Sequence, residues 1–313
     1  MDPSTTLPPA VTLAVLAAAL THAVWNAIAH GIKDQMLAFA LIGAGGIAVA
    51  IPLILVAALP RSASWPYLLA SVGIHVFYVL LLMQCYRLGE FSQVYPLARG
   101  VSPLVVTILA AMFVGEHLAL PQIAGVIVVS AALALLVLGG RRPGRAGGPG
   151  GQGGTGGRGA LPCGGFRGVV PPGQHRALLA AVGTGLTIAA YTTVDGVGVR
   201  LSVSPVGYIA WLMLLQSLCV PMFALVRRRD VLLKQSRRVL LSGLAAGALS
   251  VLAYGLVLWA QTRGALAPIA ALRETSVIFG AIIGTLVFRE PFGRTRITAT
   301  VLVVGGILLL NVG

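Results

Sequence analysis

Two arginines and two carboxylates stand where side chains of their kind are costly. Arg99 and Arg273 lie well inside long apolar stretches, as does Glu274, while Asp195 lies nearer the end of one. An arginine or aspartate at the centre of a membrane helix carries an insertion cost of roughly 2.5–3.5 kcal/mol, so such groups invite a functional reading. A guanidinium forks naturally onto a carboxylate or a phosphate. Arg99 and Arg273 are therefore candidate ligands for an anionic group. The competing reading is structural: bonds to backbone carbonyls freed near Pro96 and Pro103, or a pair with Glu274. Glu274 and Asp195 are the candidates for taking up and releasing a proton. Glu274 adjoins Arg273 and would neutralise it, and Asp195 reads first as a solvated interfacial carboxylate.

Helical spacing groups further polar side chains around these four. Tyr95, Arg99 and Ser102 fall at i, i+4 and i+7 and share one helix face, and Arg273 and Ser276 share another. His22, Trp25 and Asn26 fall at i, i+3 and i+4, and His75 pairs with Tyr78. Tyr191, Trp211 and Tyr254, with Gln216, Trp259 and Gln261, add aromatic and polar tips in the second half. Together they outline a wet, aromatic-lined cavity that suits a small metabolite or an amphipathic compound. Taken singly, each is equally at home as an interhelical hydrogen bond.

The chemistry that is missing narrows the classes. There is no DDxxD, HExxH, GxSxG or Walker-type phosphate loop, and the eight acidic residues are scattered. Cys85, Cys163 and Cys219 show no spacing that would bind metal or form a disulfide framework. Gly154, Gly156 and Gly159 reproduce the letters of a dinucleotide fingerprint, but no strand precedes them and no helix follows. No catalytic residue, metal or cofactor is expected.

Lipid is the solvent that explains the composition. The 313 residues are 57% hydrophobic and only 10% charged, against about 25% charged in soluble domains. The net charge of +14 arises from basic clusters between apolar runs, such as Arg227, Arg228 and Arg229, rather than from a nucleic-acid surface. A spanning helix needs about 20 apolar residues. Segments 11–30, 36–59, 66–86, 91–114, 118–139, 177–199, 205–226, 239–261, 266–288 and 297–312 meet that need. The start, Met1-Asp2-Pro3, lacks a basic leader region, so the first run reads as a retained span. Gly243 with Gly247, and Gly280 with Gly284, mark close helix approach, within the bundle or between two copies. The chain reads as a monomer or a homodimer.

A Gly-, Pro- and Arg-rich linker over 141–175 separates a first half, 1–140, from a second, 176–313. Tyr95 to Ser102 aligns with Ile269 to Ser276, placing Arg99 on Arg273 and Ser102 on Ser276; in the same register Glu116 falls on Glu290. With small gaps Trp25 meets Tyr191, Pro52 meets Pro221 and Tyr78 meets Tyr254. An odd number of spans per half inverts the second relative to the first. The expected fold is all-α: ten transmembrane helices as two inverted five-helix repeats around a central cavity. Arg99 and Arg273 then approach that cavity from opposite sides of the midplane. Outside the spans, Lys and Arg divide 3 against 17, with the linker on the richer side. The positive-inside rule places the linker in the cytoplasm and both termini outside.

Two stretches carry a resemblance. One runs Val94, Tyr95, Pro96, Leu97, Ala98, Arg99, Gly100 and closes on Gly115 and Glu116; the other runs Ala271, Leu272, Arg273, Glu274, Thr275, Ser276, Val277 and closes on Arg289 and Glu290. On these the chain resembles the EamA type of the drug/metabolite transporter superfamily over nearly all of its length outside the linker. The resemblance implies two inverted five-helix repeats around a central cavity, alternating access, and a home in a bacterial-type inner membrane. It also implies cytoplasmic termini, from which the charge count departs. The resulting expectation is a secondary active or facilitative permease for a small molecule, with proton coupling through Glu274 or Asp195. The alternative is a membrane-embedded enzyme or flippase acting on lipid-linked substrates.

Overall fold

A computed structural model describes residues 7–32, 34–88, 91–139, 174–230, 234–287 and 294–310. The linker with Cys163 and its glycine triplet, and Glu290, lie outside the described residues, as do the side chains of Cys85 and Tyr95. Helices and turns make up the described residues, with no strand among them. The helices are α1 (Pro9–His30), α2 (Gln35–Val56), α3 (Trp65–Leu88), α4 (Phe91–Leu109), α5 (Leu120–Gly139), α6 (Gln174–Leu201), α7 (Pro205–Arg227), α8 (Arg237–Gln261), α9 (Leu266–Arg273), α10 (Ser276–Val287) and α11 (Arg294–Leu310).

Local chemistry sets several of their starts. Asp34 accepts from the amides of Met36 at 3.0 Å and Leu37 at 3.2 Å, which satisfies two donors at the head of α2. Ser204 does the same for Gly207, at 3.2 Å, with Pro205 opening α7. Between such caps the helices are apolar on nearly every side, the pattern of helices surrounded by protein and lipid together. Leu55, Val56, Leu120 and Val226 are all more than 70% exposed, a surface that water would not tolerate and acyl chains would. Eight helical segments are long and apolar enough to cross a membrane: Pro9–Ala29, Met36–Val56, Ser62–Leu82, Leu97–Val114, Arg176–Leu201, Pro205–Arg227, Arg237–Gln261 and Leu266–Val287. Leu120–Leu136 and Ile297–Leu310 are shorter apolar helices.

Packing crosses freely between the two halves. α2 lies against α7 and α8, α3 against α6 and α7, α1 against α8 and α10, α4 against α6, and α5 against α11. A tight seam joins α2 to α8. A Cβ on Gly247 would stand 2.8 Å from both Gly45 Cα and Gly46 N, so the two backbones touch there. The first small-residue motif therefore closes a seam inside the bundle, whereas among the described residues nothing stands within 4 Å of a Cβ on Gly280 of the second. Gly247→Ala is expected to destabilise the protein by about 1–3 kcal/mol through overpacking, and Gly280→Ala to leave it unchanged. Unfolding midpoints in detergent compare the two; equal midpoints for the pair would contradict the seam.

Span nine is where the sequence reading needs correction. The apolar run over 266–288 predicts one helix, but the helix divides at Glu274 and Thr275. The amides of Glu274 and Thr275 each donate to a carbonyl three residues back, at 3.1 Å. Thr275 Oγ1 also donates to Leu272 O at 2.9 Å, so a hydroxyl competes with the helical ladder at the break.

Candidate functional site

The broken helix delivers Arg273, Glu274, Thr275 and Ser276 into the middle of the bundle, and all of α9 is buried. α9 is seated by packing of Leu266, Ala267 and Ala270 against Val106 of α4 and Ala189 of α6. Its start is fixed by a residue of the other half. α4 ends in a wide turn over Ala110–Val114, and Gly115, at φ +71°, reverses the chain. Glu116 then accepts from the Leu266 amide at 2.7 Å and from Arg200 Nη2 at 2.9 Å. Arg200 donates further to Gln261 O and Gly264 O, each at 2.8 Å. A carboxylate at a helix N-terminus meets both its free amides and its dipole. Glu116 thus knots the ends of α4, α6, α8 and α9 together. An exposed pair, Arg228 with Asp34 at 2.8 Å, joins the end of α7 to the start of α2.

Arg99 and Glu274 form the first polar group of the centre. Arg99 Nη1 donates to Glu274 Oε1 at 3.1 Å, with the side chains 5% and 1% exposed. Arg99 Nη2 also meets His22 Nε2. A guanidinium only donates, so that imidazole nitrogen accepts and the ring is neutral. Glu274 is therefore partnered by Arg99 from the other half, and not by the adjacent Arg273 as its sequence position suggests. His22 packs edge-on against Trp25, centroids 5.0 Å apart. Asn26 turns back to bond His22 O at 2.7 Å on its own helix.

A second group surrounds Asp195. Its position near the end of α6 predicts a solvated carboxylate, but the residue is 0% exposed. Tyr208 donates to Oδ1 at 3.0 Å and Tyr254 to Oδ2 at 2.5 Å, and the Ser71 hydroxyl also reaches it. Three neighbouring helices bring these hydroxyls inward over the end of α6, which takes the place of water. His75 Nδ1 lies 2.9 Å from Ser71 O and the ring stacks on Tyr191, centroids 4.0 Å apart. Tyr78 and Tyr254 stand edge-on to the same Tyr191 at 5.7 and 6.0 Å.

Arg273 stands between the two groups. Nη2 donates to Tyr191 OH over a long 3.4 Å, and Nε has no hydrogen-bond partner. Trp25 Nε1, Glu274 Oε2 and Ser276 Oγ are likewise buried without partners. Buried polar atoms are nearly always bonded, so these atoms keep bonding capacity that the described residues do not use. Ser102 is buried on α4 at 2% exposure.

Of the sequence candidates, the structure gathers His22, Trp25, His75, Tyr78, Arg99, Tyr191, Asp195, Tyr254, Arg273 and Glu274. Trp211 instead packs edge-on against Trp65, 5.4 Å away, within an apolar cluster. The sequence reading misses Tyr208 and Ser71. Ser71 is one helical turn from His75, a spacing that was available to it. A wide groove of about 500 Å³, lined by Ala70, Gly73, Ile74, Phe77, Leu186, Thr187 and Ala190, lies on the outer face of α3 and α6 and shares none of these polar groups. Among the described residues no three His, Cys, Asp or Glu side chains are grouped as a metal site requires.

Comparison with known proteins fits this architecture. Residues 175–312 match the EamA-like transporter family. The matched stretch lies wholly in the second half of the chain and contains Asp195, Tyr208, Tyr254, Arg273 and Glu274 of the centre. The whole chain resembles solved structures, 28 chains among them, in fold. One of these, described only as a crystal structure of a protein, covers 96% of this chain and 97% of its own length with a TM-score of 0.71 at 19% identity. That identity speaks for the fold alone. No curated protein matches the chain. With its apolar helices and this family likeness over residues 175–312, the protein is a multi-pass membrane protein.

Proposed function

We propose that the protein is a secondary carrier of a small anionic or amphipathic metabolite, working by alternating access between two inverted five-helix halves, 1–140 and 176–313. The observation that carries this reading is the buried centre itself: charged and aromatic side chains from both halves converge on a broken helix and leave four polar atoms unpartnered. Broken helices facing a midplane site recur among carriers built from inverted repeats.

The packing supports the repeat. Exchanging each helix of one half for its counterpart maps the α3–α6 contact onto α1–α8, α4–α6 onto α1 with α9 and α10, and α2–α8 onto α3–α7; α2–α7 and α5–α11 map onto themselves. Counting Leu120–Leu136 and Ile297–Leu310 as spans gives ten. The charge distribution puts the linker in the cytoplasm and both termini outside.

Within the site, Arg273 is the anion ligand, because Arg99 is already held by Glu274 and His22. Trp25 Nε1 and Ser276 Oγ are the neighbouring donors, and Tyr191, Tyr254 and His75 give a flat aromatic wall. Ser102 and Asn26 remain in this reading as lining residues on the same helices, with Trp211 more remote; the Tyr95 side chain lies outside the described residues.

Full-length protein in liposomes tests the reading. Vesicles preloaded with unlabelled benzoate, amino acids, phosphate monoesters or a hydrophobic cation should accumulate the matching labelled solute by counterflow for an anionic member of the set. Absence of exchange for every solute, or chemically altered lipid in the vesicles, would end the carrier reading.

A further inference from the structure

We propose that Asp195 takes up one proton for every monoanion the carrier binds, so that loading the site is electroneutral. This rests on the anion-carrier reading and adds its coupling.

The argument is a balance of charges in a water-poor interior. Four full charges lie at the centre: Arg99 and Arg273 against Glu274 and Asp195. Arg99 and Glu274 cancel in contact, at 3.1 Å, and His22 accepts from Arg99 as a neutral ring. Arg273 and Asp195 remain. Among the described residues neither has an opposite charge within ion-pair distance. They balance each other from a distance, across two tyrosines. Arg273 donates to Tyr191, Tyr254 donates to Asp195, the two rings are 6.0 Å apart, and His75 stacks on the first. The empty centre is thus neutral as a whole, although two of its charges have no contact partner.

An anion seated on the free edge of Arg273 claims that guanidinium. Asp195 is then an excess negative charge inside the membrane, which is the costly condition for a buried ion. A proton from water, added to a carboxylate oxygen of Asp195, restores neutrality. No bond in the anion is made or broken. When the anion leaves, the Arg273 charge is again unmatched, and Asp195 returns the proton to water on whichever side is open and balances it as a carboxylate.

The surroundings of Asp195 fit this role better than those of Glu274, whose charge Arg99 already holds. The groups facing Asp195 are Ser71 and His75 from α3, Tyr208 from α7, Tyr254 from α8, Tyr191 from its own helix, and Arg273 at the end of α9. His75 already carries a proton on Nδ1, toward Ser71 O. The carboxylate is the group with a vacant place for one.

The test uses the reconstituted full-length protein with benzoate, indole-3-acetate and methyl phosphate as probes. Calorimetric titration in two buffers of different ionisation heat reads the protons taken up per anion bound. The expected value is one for the wild type and zero for Asp195→Asn, which is expected to bind the same probe without proton uptake. In vesicles, uptake of labelled benzoate by the wild type, taken as the excess over protein-free vesicles that benzoic acid enters unaided, should follow an imposed pH gradient and ignore a valinomycin-imposed potential. These two wild-type readings decide the matter even where Asp195→Asn fails to fold. Anion binding by the wild type without proton uptake, one proton per anion still taken up by Asp195→Asn, or uptake driven by potential and indifferent to pH would each overturn the proposal. Binding of none of the three probes would remove the anion assignment, while the counterflow screen judges the carrier reading separately.

Discussion

Arg99→Gln is expected to destabilise the protein by about 3–5 kcal/mol, the usual consequence of removing one partner of a buried ion pair. The loss follows from what is left behind. Glu274 is 1% exposed, its Oε1 accepts from Arg99, and its Oε2 has no other partner, so the substitution strands a full charge in an apolar interior. His22 loses the donor to its Nε2 at the same time. Glutamine offers amide donors, but from a shorter side chain and without charge. The double variant Arg99→Gln/Glu274→Gln should recover most of the loss, since neither remaining side chain is charged. Denaturant unfolding in detergent measures both. A single variant as stable as the wild type, or a double variant no better than the single, would show that Arg99 and Glu274 do not depend on each other.

Arg273→Gln should behave in the opposite way, folding well and binding poorly. Among the described residues Arg273 makes no contact ion pair, its bond to Tyr191 is a long 3.4 Å, and its Nε has no hydrogen-bond partner. Little packing energy is lost, and Asp195 can shed its unbalanced charge by holding a proton. A charge-assisted hydrogen bond contributes about 1.5–3 kcal/mol, so anion affinity should fall roughly 10- to 100-fold. Titration with benzoate, alongside an unfolding curve, separates the two effects. Affinity within a factor of two of the wild type would remove Arg273 from the site.

The membrane class and most helices are legible in the sequence because a span is a local property: some twenty apolar residues announce themselves wherever they fold. Arg99, Arg273 and Glu274 are legible for a related reason, as charges inside such runs. Their partners are not, since Arg99 and Glu274 are 175 positions apart and only packing of α4 against α9 joins them. Asp195 shows the limit most clearly. Depth within its own helix predicts exposure, but the hydroxyls of Tyr208 and Tyr254 come from other helices and exclude the water. The break at Glu274 and Thr275 escapes notice because neither glycine nor proline marks it; a threonine hydroxyl bonded to Leu272 O accompanies the turn.

Any rearrangement of the bundle inherits a restriction from the α2–α8 seam. Helices slide past one another by letting side chains step between rotamers, and at Gly45 and Gly247 there are none to step; backbone meets backbone. A shift in register would drive carbonyl oxygens into Cα atoms, so α2 and α8 hold a single register, and any motion of the bundle has to carry the two together.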